Sequence, residues 1–184
     1  MSLRQKIRRQ RQALNPQQLQ TAAENVTVQA LQLTELSQAQ HIAVYLAHDN
    51  EIDLKLLINE FWQIGKTCYL PVLAAKGRIM QFARYRPKSS MQTNKYGILE
   101  PVNEPAITTD KLDLVFMPLV AVDKNGNRLG MGGGYYDATF AFLKNSAAKK
   151  PRLIGCAYEF QLVERVNEVQ NWDVSITTTI TCRC

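Results

Sequence analysis

The sequence predicts an α/β protein: a three-layer α/β/α arrangement, in one domain, in which helices cover both faces of a mostly parallel sheet. Helical patterns and short apolar runs alternate along the chain, without internal repeats or low-complexity linkers. The runs HIAVYLA and LVFMPLVAV are almost entirely apolar, which is typical of strands buried on both faces. With 184 residues, 46% of them hydrophobic, one domain can bury a core without disulfide or metal support.

The segment SLRQKIRRQRQAL predicts a basic N-terminal helix with an apolar stripe and arginines beside it. The stripe is formed by Leu3, Ile7 and Leu14, and the arginines are Arg4, Arg8 and Arg11. If this helix packs on the rest of the protein through the apolar stripe, its arginine guanidinium groups lie along the seam between the helix and the rest of the protein. Three interpretations remain open: a solvated basic face, arginines that reach a nucleotide's phosphates, or a nucleic-acid surface. Exposed aromatics and a known nucleic-acid module are both missing here.

A second helix begins at Asn15 and Pro16, and Gln18 can complete a capping box. A strand over residues 41–47 is then followed by an acidic cluster and a third helix that ends near Gly65. Ligands bind at the carboxyl ends of strands in open α/β sheets, so Glu51 in this cluster is a candidate site residue. The alternative is that Glu51 helps to cap the helix.

The central stretch combines an apolar strand over residues 114–122, a glycine-rich turn and a helix over residues 135–143. Five of the nine glycines lie between Gly126 and Gly134, where they allow backbone N–H groups to approach a phosphate. A tight structural turn is the alternative. Tyr135 and Tyr136 stand where a Walker loop needs Lys and Ser or Thr, and the dinucleotide fingerprint also fails.

Two charged residues flank the glycines and favour the phosphate interpretation. Arg128 precedes the glycine loop and can neutralise phosphate charge, while Asp137 follows it and can hold Mg²⁺. Further strands are predicted over residues 66–73, 79–85 and 153–158, and a last strand follows Asp173. Residues 87–104 are predicted to form a loop, and Tyr96 there lies beneath it or lines a pocket. Residues 144–152 form a polar connection, and residues 159–165 a short helix or turn.

Composition narrows the location and the partners. No apolar run has the length of a membrane span, and the polar N-terminus lacks the hydrophobic core of a signal peptide, so a cytoplasmic protein is expected. Cys68, Cys156, Cys182 and Cys184 match neither a zinc site nor a redox pair, and we expect free thiols; adventitious metal binding by the last two is the alternative. The net charge of +6 indicates an anionic partner.

The motif NGNRLGMGGGYYD resembles the signature of the 5-formyltetrahydrofolate cyclo-ligase family, also called 5,10-methenyltetrahydrofolate synthetases. The segments LRQKIRRQRQAL, YLAHDNEID, GKTCYLPVL, KYGILEP and IGCAYEFQLV, and the WDV near the end, occur in the family's order, so the resemblance covers nearly the whole chain. The glycine loop is its most specific part and the N-terminal segment its least specific.

The resemblance implies an ATP- and Mg²⁺-dependent enzyme that converts 5-formyltetrahydrofolate to 5,10-methenyltetrahydrofolate, with release of ADP and phosphate. The formyl oxygen is first phosphorylated by ATP, N10 of the folate attacks the activated carbon, and phosphate departs as the ring closes. Such chemistry needs positioning and charge neutralisation more than a base or a nucleophile.

Matched motifs and the charge pattern together assign the expected site residues. The nucleotide is expected at Arg4, Arg8, Arg128, Gly130, Gly132, Gly133, Gly134, Tyr135 and Tyr136. By resemblance, folate is expected at Leu46, Glu51, Met131, Gly132, Gly133, Gly134 and Tyr135, and Mg²⁺ at Asp137 and Asp173. Catalytic roles are expected for Arg128, Tyr135 and Tyr136.

The expected partner is therefore a small molecule, with neither nucleic acid nor membrane, and the protein acts as a monomer or weak homodimer. A non-catalytic ATP-binding protein and a basic nucleic-acid-binding protein are the alternatives. A nucleic-acid binder would lose affinity steeply as salt is added. An ATP sensor would bind nucleotide and Mg²⁺ without converting folate.

Overall fold

The structure, a computed structural model, describes residues 1–144 and 150–183. Its α-helices are α1 (Leu3–Gln12), α2 (Pro16–Leu31), α3 (Lys55–Gln63) and α4 (Tyr135–Phe140). The first six strands are β1 (His41–Ala43), β2 (Thr67–Val72), β3 (Gln81–Tyr85), β4 (Met91–Thr93), β5 (Leu99–Pro101) and β6 (Ala106–Ile107). The others are β7 (Leu114–Met117), β8 (Ala121–Asp123), β9 (Arg128–Leu129), β10 (Arg152–Tyr158), β11 (Leu162–Val163) and β12 (Thr178–Cys182). Short 3₁₀ helices lie at Thr34–Ser37, Thr109–Lys111, Ala141–Lys144 and Glu159–Gln161.

A seven-stranded central sheet organises the chain, in the order β12-β10-β7-β1-β2-β3-β6. The five strands from β12 to β2 run parallel, whereas β3 and β6 pair antiparallel at one edge. The prediction of a mostly parallel α/β sheet is therefore confirmed. Because the parallel strands point the same way, the loops that follow β1, β2, β7 and β10 leave from the same edge of the sheet.

Helices cover both faces of the sheet, as predicted. On one face, Val26 of α2 and Phe61 of α3 are fully buried in a cluster with Ile42 and Phe116 of the sheet. On the other face, Phe140 of α4 packs in a separate cluster with strand residues that alternate with the first set. This alternation is the period of two that a strand imposes, and it allows a strand that is apolar throughout to serve two cores.

Several predicted boundaries are wrong. The strand predicted over residues 41–47 ends at Ala43, α1 ends before Leu14, and the turn predicted over residues 159–165 includes the short strand β11. The apolar run over residues 114–122 is not one strand, because β7 ends before Pro118 and β8 belongs to a second sheet of order β11-β8-β9. Proline has no backbone N–H to give to a sheet, which favours a break at this position. The predicted loop over residues 87–104 contains a hairpin, β4 paired antiparallel with β5.

Local signals at the helix ends were interpreted correctly. Asn15 and Gln18 form the predicted capping box of α2, with Pro16 as its first residue. Gly65, just beyond α3, has φ +77°, the left-handed conformation of a helix-ending glycine. The helix predicted over residues 135–143 is α4 followed directly by a 3₁₀ turn.

The cysteines of the described chain lie inside the core. Cys68 and Cys156 are buried free thiols, and burial raises the pKa of the Cys68 thiol to about 12. Cys184, and most of the connection predicted over residues 144–152, lie outside the described residues. Within the described part, no helix has the length and apolar character needed to cross a membrane.

Candidate functional site

The glycine loop leaves the small sheet through a turn organised by Asp123. The Asp123 carboxylate accepts hydrogen bonds from the backbone N–H groups of Asn125 and Asn127, at 2.9 and 3.1 Å. Gly126 in this turn has φ +78°, and a Cβ there would lie 2.3 Å from the Ile176 carbonyl oxygen. Gly126 is therefore structural, so the turn interpretation holds for this first glycine.

The later glycines form an open loop. Gly132 has φ +96° and Met131 to Gly133 are exposed, with no atom within 4 Å of a Cβ built on Gly132. Gly134 has φ +66° at the start of α4, and a Cβ there would lie 3.4 Å from Nη1 of Arg78. The loop thus presents bare backbone to solvent with a cation beside it, as a phosphate ligand requires.

Arg128 and Asp137, predicted on either side of the loop, form an ion pair beneath it. Arg128 Nη2 donates to Asp137 Oδ1 at 2.7 Å, and the two side chains are only 5% and 14% exposed. Arg128 Nε is buried and has no hydrogen-bond partner among the described residues. A Cβ on Gly130 would lie 3.0 Å from Arg128 Nη1, so the guanidinium lies directly under the loop.

Asp173 is connected to the Arg128–Asp137 ion pair by the backbone of the next residue, Val174. The N–H of Val174 donates to Asp137 Oδ1 at 3.1 Å, while Asp173 Oδ2 accepts from the Gln170 N–H at 2.8 Å. The described hydrogen bonds of Asp137 all use Oδ1, which leaves Oδ2 for a cation. A cavity of about 640 Å³ opens beside Asp173, with Asn127 and Val174 also in its wall.

Helix α1 reaches the loop from the side, as predicted for the arginine seam. Arg4 Nε donates to the Gly130 carbonyl oxygen at 2.9 Å, and Ile7 is buried among Val120, Ala121 and Leu129. Arg8 points elsewhere, because its Nε donates to Asp49 Oδ2 at 2.8 Å. The structure therefore brings Arg4 to the glycine loop and Arg8 to the acidic cluster.

Glu51 follows strand β1 at the carboxyl end of the sheet, and its side chain is 12% exposed. Burial raises the pKa of Glu51 to about 7, although the Arg11 charge and a hydrogen bond from the His48 N–H lower it. Burial and the charge of the same carboxylate both raise the pKa of Tyr136, so Glu51 and Tyr136 interact electrostatically. Leu46 is half-buried and packs against the core below.

Glu51 does not cap α3 as the alternative interpretation supposed. Its described backbone contact is the His48 N–H, at 3.1 Å, whereas Asp53 Oδ1 accepts from the Lys55 N–H at the helix start, at 2.9 Å. Glu51 is thus available to a ligand.

The turn between β4 and β5 contacts Tyr135 at an exposed position. The hydroxyl groups of Tyr96 and Tyr135 are 3.1 Å apart, and Lys95 Nζ lies 5.8 Å from the Tyr135 ring centroid. Hydrogen bonds with Tyr96 and Lys95 lower the pKa of Tyr135. The sequence left two positions for Tyr96, beneath the loop or in the wall of a pocket. In the structure Tyr96 lies next to Tyr135, at the candidate site.

Sequence reasoning did not assign Arg11, Arg78 or Lys95 to the site. For Arg11 the signal was present, since it follows Arg4 and Arg8 along the seam. Arg78 and Lys95 lie in loops with no periodicity, and only the folded chain brings them to the glycine loop.

Two acids and several cations decide which ligands this arrangement can hold. Mg²⁺ commonly binds one or two carboxylates together with phosphate oxygens and water, a donor set that Asp137 and Asp173 fit. Among the described residues, no group of three or more His, Cys, Asp or Glu side chains could hold a metal ion. The protein side chains alone therefore do not form a complete metal site there. The orphan Arg128 Nε and the open glycine loop fit a phosphate.

This site, at the carboxyl end of a mostly parallel sheet, defines an α/β protein that binds anionic ligands. A sequence profile of the 5-formyltetrahydrofolate cyclo-ligase family matches residues 1–182. The chain belongs to that family.

Named relatives agree with this assignment. The chain is 42% identical over 177 residues to a 5-formyltetrahydrofolate cyclo-ligase of Haemophilus influenzae, covering 95% of this chain and 92% of the relative. It is 36% identical over 179 residues to one of Escherichia coli K12, covering 95% and 96%. The solved Aquifex aeolicus 5,10-methenyltetrahydrofolate synthetase superposes with a TM-score of 0.81 at 30% identity, covering 97% of this chain and 87% of the other. A Mycoplasma pneumoniae synthetase shares the fold, with a TM-score of 0.75 at 22% identity, covering 97% and 95%.

Proposed function

We propose that this chain catalyses the ATP- and Mg²⁺-dependent conversion of 5-formyltetrahydrofolate to 5,10-methenyltetrahydrofolate, releasing ADP and phosphate. One observation carries the assignment to this chain's own residues. An open glycine loop lies over the buried Arg128, whose guanidinium carbon is 5.7 Å from the centroid of the Tyr136 ring, and the charge of the Glu51 carboxylate raises the pKa of Tyr136. A phosphate and a folate can therefore meet in one site.

The nucleotide half of the site consists of the glycine loop with Arg4 and Arg128. Backbone N–H groups from Gly130 to Gly134 are proposed to bind the phosphates, and Arg128 Nε supplies a further charged donor. Arg4 holds the loop through the Gly130 carbonyl group. Mg²⁺ held by Asp137 and Asp173 would neutralise charge on the phosphates and so favour phosphoryl transfer.

The folate half consists of Glu51, Leu46 and Met131. The pteridine ring carries N–H donors, which a carboxylate accepts in strong charge-assisted hydrogen bonds. Met131 is 49% exposed on the glycine loop and can pack on a ring, while Leu46 supplies an apolar wall. These contacts orient the formyl oxygen toward the phosphate.

The two tyrosines have different proposed tasks. Tyr136 is protonated at neutral pH, and burial raises its pKa further, so its hydroxyl can donate to a phosphate or formyl oxygen. Tyr135, whose hydroxyl is 3.1 Å from that of the exposed Tyr96, is proposed to contact the bound nucleotide and folate. Positioning and charge neutralisation, rather than a nucleophile, provide the rate enhancement.

We further propose a cytoplasmic, single-domain protein that works as a monomer or a weak homodimer. The arginines of α1 support a small-molecule site over a nucleic-acid surface. Arg8 and Arg11 pair with Asp49, and Arg4 contacts Gly130, so these side chains have partners within the fold.

The test is spectroscopic. Purified protein is mixed with 5-formyltetrahydrofolate, ATP and Mg²⁺, and the near-ultraviolet absorbance of the conjugated methenyl product is followed. We expect product that depends on all three additions. Binding of both ligands without product would contradict the enzyme assignment and favour an ATP-binding protein without catalytic activity.

A further inference from the structure

Arg11 is a buried cation directly beneath the loop that carries Glu51. Its side chain is 1% exposed, and Nη2 donates to Asp49 Oδ2 at 2.8 Å. Nη1 lies 3.8 Å from Glu51 Oε1, and neither Nε nor Nη1 has a hydrogen-bond partner among the described residues. Burying a guanidinium group destabilises the folded protein unless acidic side chains compensate its charge. The position of Arg11 beside two acids therefore suggests a function for it.

The turn before Glu51 is held by α1 at several points. Asp49 accepts hydrogen bonds from Arg8, Arg11 and Gln12, the last at 2.7 Å on Oδ1. These bonds outweigh the effect of burial and keep the pKa of Asp49 well below its usual range. Asn50 donates to the Arg11 carbonyl oxygen at 3.3 Å.

This turn has an uncommon backbone conformation. Asp49 and Asn50 have φ of 53° and 55°, in the left-handed region that few non-glycine residues adopt, although Asp and Asn do so more often than others. The hydrogen bonds from α1 hold this turn and so contribute to the observed position of Glu51.

Several charged or titratable groups face Glu51. Arg11 comes from α1, Asp49 from the same loop, Tyr45 from the chain just after β1, and Tyr136 from α4. Among these, Arg11 is the cation. Its charge partly offsets the burial that favours neutral Glu51.

We propose that Arg11 is a positioning residue that favours the ionised form of Glu51 and directs its carboxylate at the N–H donors of the bound pteridine. Because the folate contact of Glu51 belongs to the proposed function, the role of Arg11 rests on it. The same helix carries Arg4 to the glycine loop, so α1 also spans the two halves of the site.

The experiment compares Arg11→Met with Gln12→Met as a matched control. Both substitutions remove a hydrogen bond to Asp49, but only the first removes the charge beside Glu51. The Glu51 carboxyl is titrated by ¹³C NMR and identified with a Glu51→Gln sample. In Arg11→Met we expect its midpoint to rise by about one pH unit, and the KM for 5-formyltetrahydrofolate to rise roughly tenfold at neutral pH. We expect kcat and the KM for ATP to stay within about twofold, as they do in Gln12→Met.

Arg11→Lys keeps the variant series informative if the Met variant does not fold. The lysine retains the charge but loses the fork, so we expect an unchanged midpoint with a raised KM for folate. An Arg11→Lys KM equal to that of Gln12→Met, or an unmoved Glu51 midpoint in folded Arg11→Met, would overturn the role of Arg11. Wild-type turnover in the same assay decides the proposed function separately, and the titration needs no turnover.

Discussion

The substitution Glu51→Gln should raise the free energy of unfolding of the protein but weaken its binding of 5-formyltetrahydrofolate. Burial raises the pKa of Glu51 from its ordinary 4.5 to about 7, so ionisation favours the unfolded chain. This loss of folding stability is absent below pH 4.5, grows as the pH rises to about 7, and is complete above that. The difference corresponds to an upper bound of about 3 kcal/mol, since one pKa unit is about 1.4 kcal/mol.

Glutamine has nearly the same shape and can still accept the His48 N–H, but it carries no charge. At about pH 8 we expect the free energy of unfolding of Glu51→Gln to exceed that of the wild type by up to about 3 kcal/mol, and by less than about 1 kcal/mol at about pH 5. Each kcal/mol raises the melting temperature by about 2 to 4 °C in a chain of this size.

The KM for 5-formyltetrahydrofolate should rise about tenfold to a hundredfold in the same variant, because a charge-assisted hydrogen bond contributes about 1.5 to 3 kcal/mol. Urea unfolding at both pH values measures the stability, and methenyl absorbance measures the KM. Glu24→Gln, the same change on the exposed surface of α2, is the control and should alter neither quantity. A stability gain that does not depend on pH, or a loss of stability at about pH 8, would refute the reasoning.

Other substitutions test the nucleotide half and the turn. Asp137→Asn should raise the Mg²⁺ needed for half-maximal activity at least about tenfold, and lower the free energy of unfolding by about 3 kcal/mol because buried Arg128 loses its charged partner; a normal Mg²⁺ titration would speak against the metal assignment. Arg128→Lys should raise the KM for ATP about tenfold in steady-state kinetics, since an ammonium group cannot reproduce a forked contact, and unchanged ATP dependence would count against it. Gly126→Ala should cost about 3 kcal/mol in urea unfolding because its Cβ would meet the Ile176 carbonyl oxygen, whereas Gly77→Ala, also at positive φ but in open space, should cost about 1 kcal/mol; equal losses would contradict the clash.

Parts of the fold that depend on neighbours in sequence were predictable. The capping box of Asn15 and Gln18, the end of α3 near Gly65, and the arginine seam of α1 follow from side-chain period and local hydrogen bonding. The glycine loop was also evident, because glycines are concentrated there far beyond what a single tight turn needs.

Other features depended on partners distant in the sequence. Pro118 divides an apolar run between two sheets, which hydrophobicity alone cannot show. The β4–β5 hairpin is a short pairing within a polar segment, so neither period nor length marked it. Arg78 and Lys95 approach the glycine loop from separate loops.

For this protein, the sequence by itself determined the α/β class, the capped helices, the glycine loop and the family. Only the tertiary structure decided that Arg4 reaches the loop while Arg8 and Arg11 bind Asp49, and that the side chain of Glu51 is largely buried near Arg11. The physical reason is that caps, turns and periodicity arise from residues a few positions apart. Burial and charge, which set the ionisation of Glu51, are summed over groups that only folding brings together.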